Sequence, residues 1–354
     1  MTETDTLLID TTARIFRELA DPQTLATTSS EDWRADLWSA LEDNGLTRAW
    51  VPEELGGAGA GIGDGFDIVL TAGRHAVAVP LVETLLAGWL LAEAGMAVPD
   101  GPLSVAVGGE DTPIRLNADG ILSGQAQAVP FAGRVDHLAL LAVSADGPIC
   151  VLVEAKSCAI EAGANLAGDA VGNITFDGVT PLAQHETPPG LGAGNVMLMG
   201  AAVRAQQMAG GLQAILDLAV DYAKERVAFG RPIAKFQAVQ HNLARLAGET
   251  AAAVAAAGSA ADAIETAGDF NEAVFLEIAA AKIRTGEAVG TGAAIAHQVF
   301  GALGFTMEHA LQRYSRRLWA WRDDFGSESE WAVGLGAMIA ANGADELWPL
   351  MASR

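Results

Sequence analysis

The sequence predicts an α+β multidomain chain, with an N-terminal α-helical domain over residues 1–98, a middle β-barrel-like domain over 99–190 and a C-terminal four-helix bundle over 191–354. Three observations predict it. Apolar residues recur at helical spacing up to about residue 98. Between about 101 and 188 they fall into short runs rich in Val, Ile and Leu, broken by Asp-Gly turns. Beyond about 192 come long alanine-rich segments whose short connections imply antiparallel neighbours.

The elements follow in order. Leu7, Leu8, Ala13, Ile15, Phe16 and Leu19 share one face of a first helix. Ser30 is placed to cap a second, with Glu31 and Asp32 in its first turn, and Asn44-Gly45 ends it. The glycine-rich stretch from Val51 to Gly59 reads as a flexible connector. It has no full G-x-G-x-x-G and no preceding strand, so no dinucleotide-binding unit is expected there. Two apolar helices follow at about 64–75 and 80–95. Strands are expected at 103–107, 113–117, 120–124, 138–143, 149–153 and 173–176. Helices are expected at 193–229, 235–268, 271–301, about 308–320, and from about 328.

Composition narrows the function. With 51% hydrophobic residues the chain is too apolar to be disordered. Its 21 Lys+Arg against 44 Asp+Glu give a net charge of −23, which disfavours nucleic acid and anionic membrane as partners. Apolar runs are interrupted by Gly or charged residues short of the roughly 18 that a bilayer helix needs. No basic leader is visible, and two cysteines, Cys150 and Cys158, make neither a disulfide framework nor a metal site. A cytoplasmic protein without metal is expected. The cations cluster, at Lys224–Lys235 and Arg313–Arg322, either as ordinary surface charge or as a phosphate site inside an acidic protein.

Two segments are more specific. One is the run Glu225-Arg226-Val227-Ala228-Phe229-Gly230-Arg231-Pro232-Ile233-Ala234-Lys235-Phe236-Gln237. The other runs Gln298-Val299-Phe300-Gly301-Ala302-Leu303-Gly304-Phe305. With Val51-Pro52-Glu53 and Val79-Pro80-Leu81-Val82-Glu83-Thr84, they resemble signature stretches of the acyl-CoA dehydrogenase family along nearly the whole chain. The resemblance implies FAD as cofactor and an acyl-CoA thioester as substrate. It assigns FAD contacts to Arg226, Phe229, Phe236, Gln237, Gln298 and Gly301, reaching a flavin bound mainly by a neighbouring subunit. Arg226 offers a permanently charged fork for pyrophosphate. Phe229, three residues on, is expected on the same helix face with an apolar plane for adenine. The glutamines can donate and accept at ribose, ring or phosphate edges, and Gly301 allows close backbone approach.

The departures from the family pattern matter as much. The family's α-proton base is a glutamate whose two usual positions fall here on Phe325 and Gly200. Asp324 is the remaining candidate, though an N-cap or an ion pair with Arg322 or Arg316 suits it better; Glu328 reads as the cap of the final helix. The flavin- and substrate-contacting loop of the family's β domain has no counterpart at Ser104–Thr112. The six histidines read as structural. The pattern resembles the base-lacking subunit of heterotetrameric bacterial acyl-CoA dehydrogenases, partnered by a glutamate-bearing paralogue. Two alternatives stay open: a self-sufficient homo-oligomeric (dimeric or tetrameric) flavoprotein with a displaced base, and a non-catalytic structural paralogue.

Overall fold

The computed structural model describes residues 3–28, 32–109 and 111–352. Helices α1 (Glu3–Leu19), α2 (Pro22–Thr27), α3 (Trp33–Asp43), α4 (Ile62–Arg74) and α5 (Leu81–Glu93) come first. The short α2 was not expected from periodicity; Asp21 caps it by accepting from the Thr24 N–H, and Pro22 opens it. The cap expected at Ser30 lies outside the described residues. Asn44 and left-handed Gly45 (φ 70°) end α3 as expected.

The glycine-rich stretch is not a loose connector. Ala58 N–H bonds Arg48 O, Gly59 bonds Val51 O and Ala60 bonds Ala49 O, folding it back on itself. A Cβ on Gly57 would lie 2.0 Å from Val51 O, so the fold-back requires glycine there.

Among the described residues ten strands follow: β1 (Leu103–Ala106), β2 (Arg115–Leu116), β3 (Leu122–Pro130), β4 (His137–Val143), β5 (Pro148–Glu154), β6 (Ala159–Ala164), β7 (Ala170–Val179), β8 (Ala183–Glu186) and the short pair β9 (Val227–Ala228) and β10 (Arg231–Pro232). The first eight form one mixed sheet in the order β6-β7-β3-β2-β4-β5-β8, with β1 parallel to β4. Strands β6 and β8 escaped the sequence reading because their side chains are mostly exposed and show no apolar alternation. The sheet uses both faces. Leu138, Leu140, Val151, Val153, Ile174 and Phe176 close on a core of their own. On the other side Leu103, Val105, Ala139, Cys150 and Leu152 join the core of α5, whose residues Leu81–Leu91 are all buried.

The C-terminal part consists of α6 (Ala193–Glu225), α7 (Gln237–Ala267), α8 (Glu272–Phe300), α9 (Leu311–Asp323), α10 (Glu328–Asn342) and α11 (Leu347–Ala352). Helix α6 stops at Glu225 rather than 229, so Arg226 and Phe229 do not share a helix face. Arg226 is the C-cap in extended conformation, and β9–β10 make a hairpin with Phe229 at its tip (φ 50°). Alanines on α6, α7 and α8 let the three backbones pack closely. By length and composition the stretch Glu272–Phe305 could cross a membrane, but 56% of its most apolar window is already buried inside the fold.

One titration couples to stability. His75 ends α4 against the Phe16 ring, 5.6 Å between centroids. Burial pushes its pKa down to about 4, with Arg74 adding to the effect. On acidification the unfolded chain takes up the proton near its ordinary value while the fold resists until about 4. Stability is therefore expected to fall between about pH 6.5 and pH 4, by about 1–3 kcal/mol. Urea unfolding across that range should show the slope, and His75→Phe should flatten it.

Candidate functional site

The site is built around the start of α6 and the turn between α9 and α10. Gly200 lies on α6, buried, and the aromatic ring of Phe325 sits directly over it: a Cβ at Gly200 would fall 2.3 Å from Phe325 Cδ1. Phe325 is held at φ 55°, a conformation that residues of its size rarely adopt. The two positions that the family pattern assigns to the base thus touch each other, and neither bears a carboxylate. Gly200→Glu is expected to destabilise the fold by about 2–3 kcal/mol through overpacking. Phe325→Ala in the same chain should recover a large part, a coupling that a double-mutant cycle in urea measures.

Two buried cations fix that turn. Arg204, one helical turn after Gly200, is 1% exposed. It donates to Glu83 Oε1 at 2.5 Å, Asp324 Oδ2 at 2.9 Å and Gln207 Oε1 at 2.6 Å, and its guanidinium carbon lies 5.8 Å from the centre of the Phe325 ring. Burial alone would lower the Arg204 pKa, but the charges of Glu83 and Asp324 outweigh it and keep the guanidinium protonated. Burial pushes Glu83 upward against the opposing pull of Arg204. Lys282, equally buried on α8, donates from Nζ to the carbonyls of Arg322 (2.7 Å) and Gly326 (2.8 Å), so a cation closes the C-terminus of α9. Burial lowers Lys282 to about 8.

Asp324 is therefore not a free base. Its partner is Arg204, not Arg322 or Arg316, because those two lie elsewhere on α9: Arg322 pairs with Glu328 (3.4 Å) and Arg316 donates to Leu166 O. The cap of α10 is Ser327, in a reciprocal box with Glu330, rather than Glu328.

A cleft of about 480 Å³ opens beside Phe325, between the sheet and the bundle. Val105, Gly108, Gly109, Gln125, Ala128 and Pro130 form its sheet wall, facing Met197 and Asp323–Gly326. A bulge between Ala126 and Val129 turns Ala128 to φ 51° at that wall and sets its N–H on Asn173 Oδ1, so the strand backbone is re-aimed there. Behind the cleft the interior is almost filled. Only about 10 Å³ remains among Glu83, Phe131, Arg204, Gln207 and Asp324.

The other expected residues gather elsewhere. Tyr222 near the end of α6 stacks on Phe300 at the end of α8, 4.3 Å between centroids, which brings the hairpin and the Gln298–Gly301 stretch to the same end of the bundle. Phe229 is 96% exposed, and its ring meets Phe236 edge-on at 6.1 Å. Arg231 lies over Phe236 at 4.3 Å. The side chains of Arg226, Gln237 and Gln298 are exposed, with no hydrogen bond or ion pair among the described residues. From Gly200 to Glu225, α6 spans roughly 37 Å, so this group cannot serve the cleft of its own chain.

The three-part fold thus holds a cleft between sheet and bundle and, remote from it, the Arg226 constellation at the far end of the bundle. The patterns of the acyl-CoA dehydrogenase N-terminal domain and C-terminal domain match residues 2–97 and 193–322, well over half of the sequence. The chain belongs to the acyl-CoA dehydrogenase family, whose cofactor is FAD. It is 28% identical to acyl-CoA dehydrogenase IpdE2 of Mycobacterium tuberculosis over 88% of this chain and 89% of that protein. It is also similar to a chain of the Tcur3481–Tcur3483 steroid ACAD, at 28% identity and a TM-score of 0.84, covering 97% and 99% of the two chains. A chain of the ChsE4–ChsE5 complex from Mycobacterium tuberculosis shares the fold, with a TM-score of 0.85, 23% identity and coverage of 96% and 98%.

Proposed function

We propose that this chain is a subunit of an FAD-dependent acyl-CoA dehydrogenase whose catalytic glutamate comes from a partner chain, a paralogue that carries it. The observation that carries the reading is the Phe325 ring packed over Gly200: neither usual base position bears a carboxylate, and the ring leaves no room for one at Gly200. The Tcur3481–Tcur3483 steroid ACAD and the ChsE4–ChsE5 complex, each named for two components, support an assembly of two kinds of chain. The first supports a bulky steroid thioester as substrate.

The reaction removes a proton from the α carbon and a hydride from the β carbon of the thioester, and FAD, when bound, supplies the hydride acceptor. The residues of this chain suit FAD at the far end of the bundle. Arg226 presents its fork to a pyrophosphate, Gln237 and Gln298 offer both donor and acceptor edges, and Phe229 and Phe236 offer apolar planes. An aromatic ring 96% exposed on a hairpin tip gains about 2 kcal/mol when a neighbouring surface covers it, which favours its use across a subunit boundary. Asp324 is committed to Arg204, and the volume behind Phe325 is filled by ionic side chains, leaving no channel for an acyl group.

Purification of the chain alone and after co-expression with a glutamate-bearing paralogue tests the reading. The expected outcome is a colourless or weakly yellow chain alone and a flavin spectrum in the mixed assembly. One flavin per subunit in the chain alone, bleached by an acyl-CoA, would overturn it.

A further inference from the structure

A second cavity, of about 530 Å³, lies where α3, the connection from α4 to α5 and the β6–β7 hairpin meet. It is separate from the cleft beside Phe325. The nearly filled space around Glu83 and Arg204 stands between them, sharing Pro130 and Asp324 with the first and Val79 and Phe131 with the second. Nothing in the proposed dehydrogenation uses it.

Its chemistry is unlike the rest of the surface. Arg34 and Arg134 line it, together with Trp38, Val79, Pro102 and Phe131, and among the described residues no acidic side chain does, in a chain with net charge −23. Positive charge also stands behind it. Arg317, buried on α9, donates to Asp169 Oδ1 at 2.6 Å, and Asp169 is flanked in sequence by the lining residues Gly168 and Ala170. One helical turn earlier, the Arg313 side chain has no hydrogen bond or ion pair among the described residues, and its Nε is buried. Burial pushes Arg313 down to about 10, Arg317 and Arg34 push in the same direction, and Asp169 opposes them. Asp169 is hydrogen-bonded to Arg317, and Arg313 has no such partner among the described residues. Trp38 adds a buried Nε1–H that has no partner among the described residues.

We propose that this cavity binds a small organic oxyanion, a carboxylate or a phosphate monoester carried on a compact apolar body. The volume falls in the range of ligand sites, and apolar walls with a few convergent charged groups are what such ligands need. A guanidinium fork pairs bidentately with either head group, and the aromatic and proline walls receive the body.

Isothermal titration of the full chain with phenyl phosphate, benzoate, inorganic phosphate and benzyl alcohol tests it. At least one aromatic anion should bind one to one, tenfold or more tighter than inorganic phosphate, while neutral benzyl alcohol shows no saturable binding. Which anion binds identifies the head group. Arg134 is exposed, so Arg134→Gln should fold normally and weaken binding about tenfold or more, a change of about 1.4 kcal/mol per tenfold. Arg226→Gln, at the end of the bundle, should leave it unchanged, which separates this site from the flavin contacts. The proposal is overturned if neither aromatic anion saturates below about 10 mM, if inorganic phosphate binds as tightly as phenyl phosphate, or if Arg134→Gln binds like the parent chain.

Discussion

Arg204→Leu is expected to destabilise the chain by about 3–5 kcal/mol, because it strands Glu83 as a buried charge with no counter-ion. Glu83 is 4% exposed, and Arg204 is the only cation within ion-pairing distance of it among the described residues. Asp324 has more freedom: its side chain is 19% exposed and can turn toward water once released. The double change Glu83→Met with Arg204→Leu should therefore recover most of the loss, since an apolar pair of similar volume replaces the ion pair. Urea unfolding of the three chains measures both effects. A cost below about 1 kcal/mol for Arg204→Leu would mean that the network is not held as described. The same substitution frees the turn carrying Phe325, leaving Lys282 as the sole buried cation fixing it.

The second large effect is expected at the opposite end of α6. In the assembled enzyme, Arg226→Ala should weaken FAD binding by about 10- to 100-fold, the loss of one or two charge-assisted hydrogen bonds worth about 1.5–3 kcal/mol in all. The isolated chain should keep its urea midpoint, because the Arg226 side chain is exposed and bonds to nothing among the described residues. Phe229→Ala should act in the same direction. Flavin released on dilution, followed by fluorescence, reads the affinity directly. Unchanged flavin content with Arg226→Ala would favour a purely structural role for this chain.

The sequence carries the helices well, because long amphipathic and alanine-rich stretches repeat their signal over many turns. It also carries the Arg226 and Gln298 stretches, whose spacing is local. What it hides is contact between distant positions. Gly200 and Phe325 are each legible as missing glutamates, yet nothing local says that one ring fills the space above the other. Arg204 does leave a signal: an arginine directly after the apolar stretch Met199–Val203, on a helix long enough to be buried, must find an anion. Its partners lie about 120 residues away in either direction, so the sequence could not name them. The hairpin at Phe229 was legible too, in Gly230 and Pro232, but the strong helical pattern before it carried the predicted helix four residues too far.

The most direct test is the turnover of the co-expressed assembly with one carboxylate changed at a time. Changing the glutamate proposed for the partner to glutamine is expected to cut kcat by about 10²–10⁴, the loss typical of a positioned base. Asp324→Asn in this chain keeps an oxygen for Arg204 and should leave kcat within a few-fold of the parent, with an unchanged pH profile. The opposite pattern, in which Asp324→Asn abolishes turnover while the partner's glutamate is dispensable, would place the base in this chain and contradict the account.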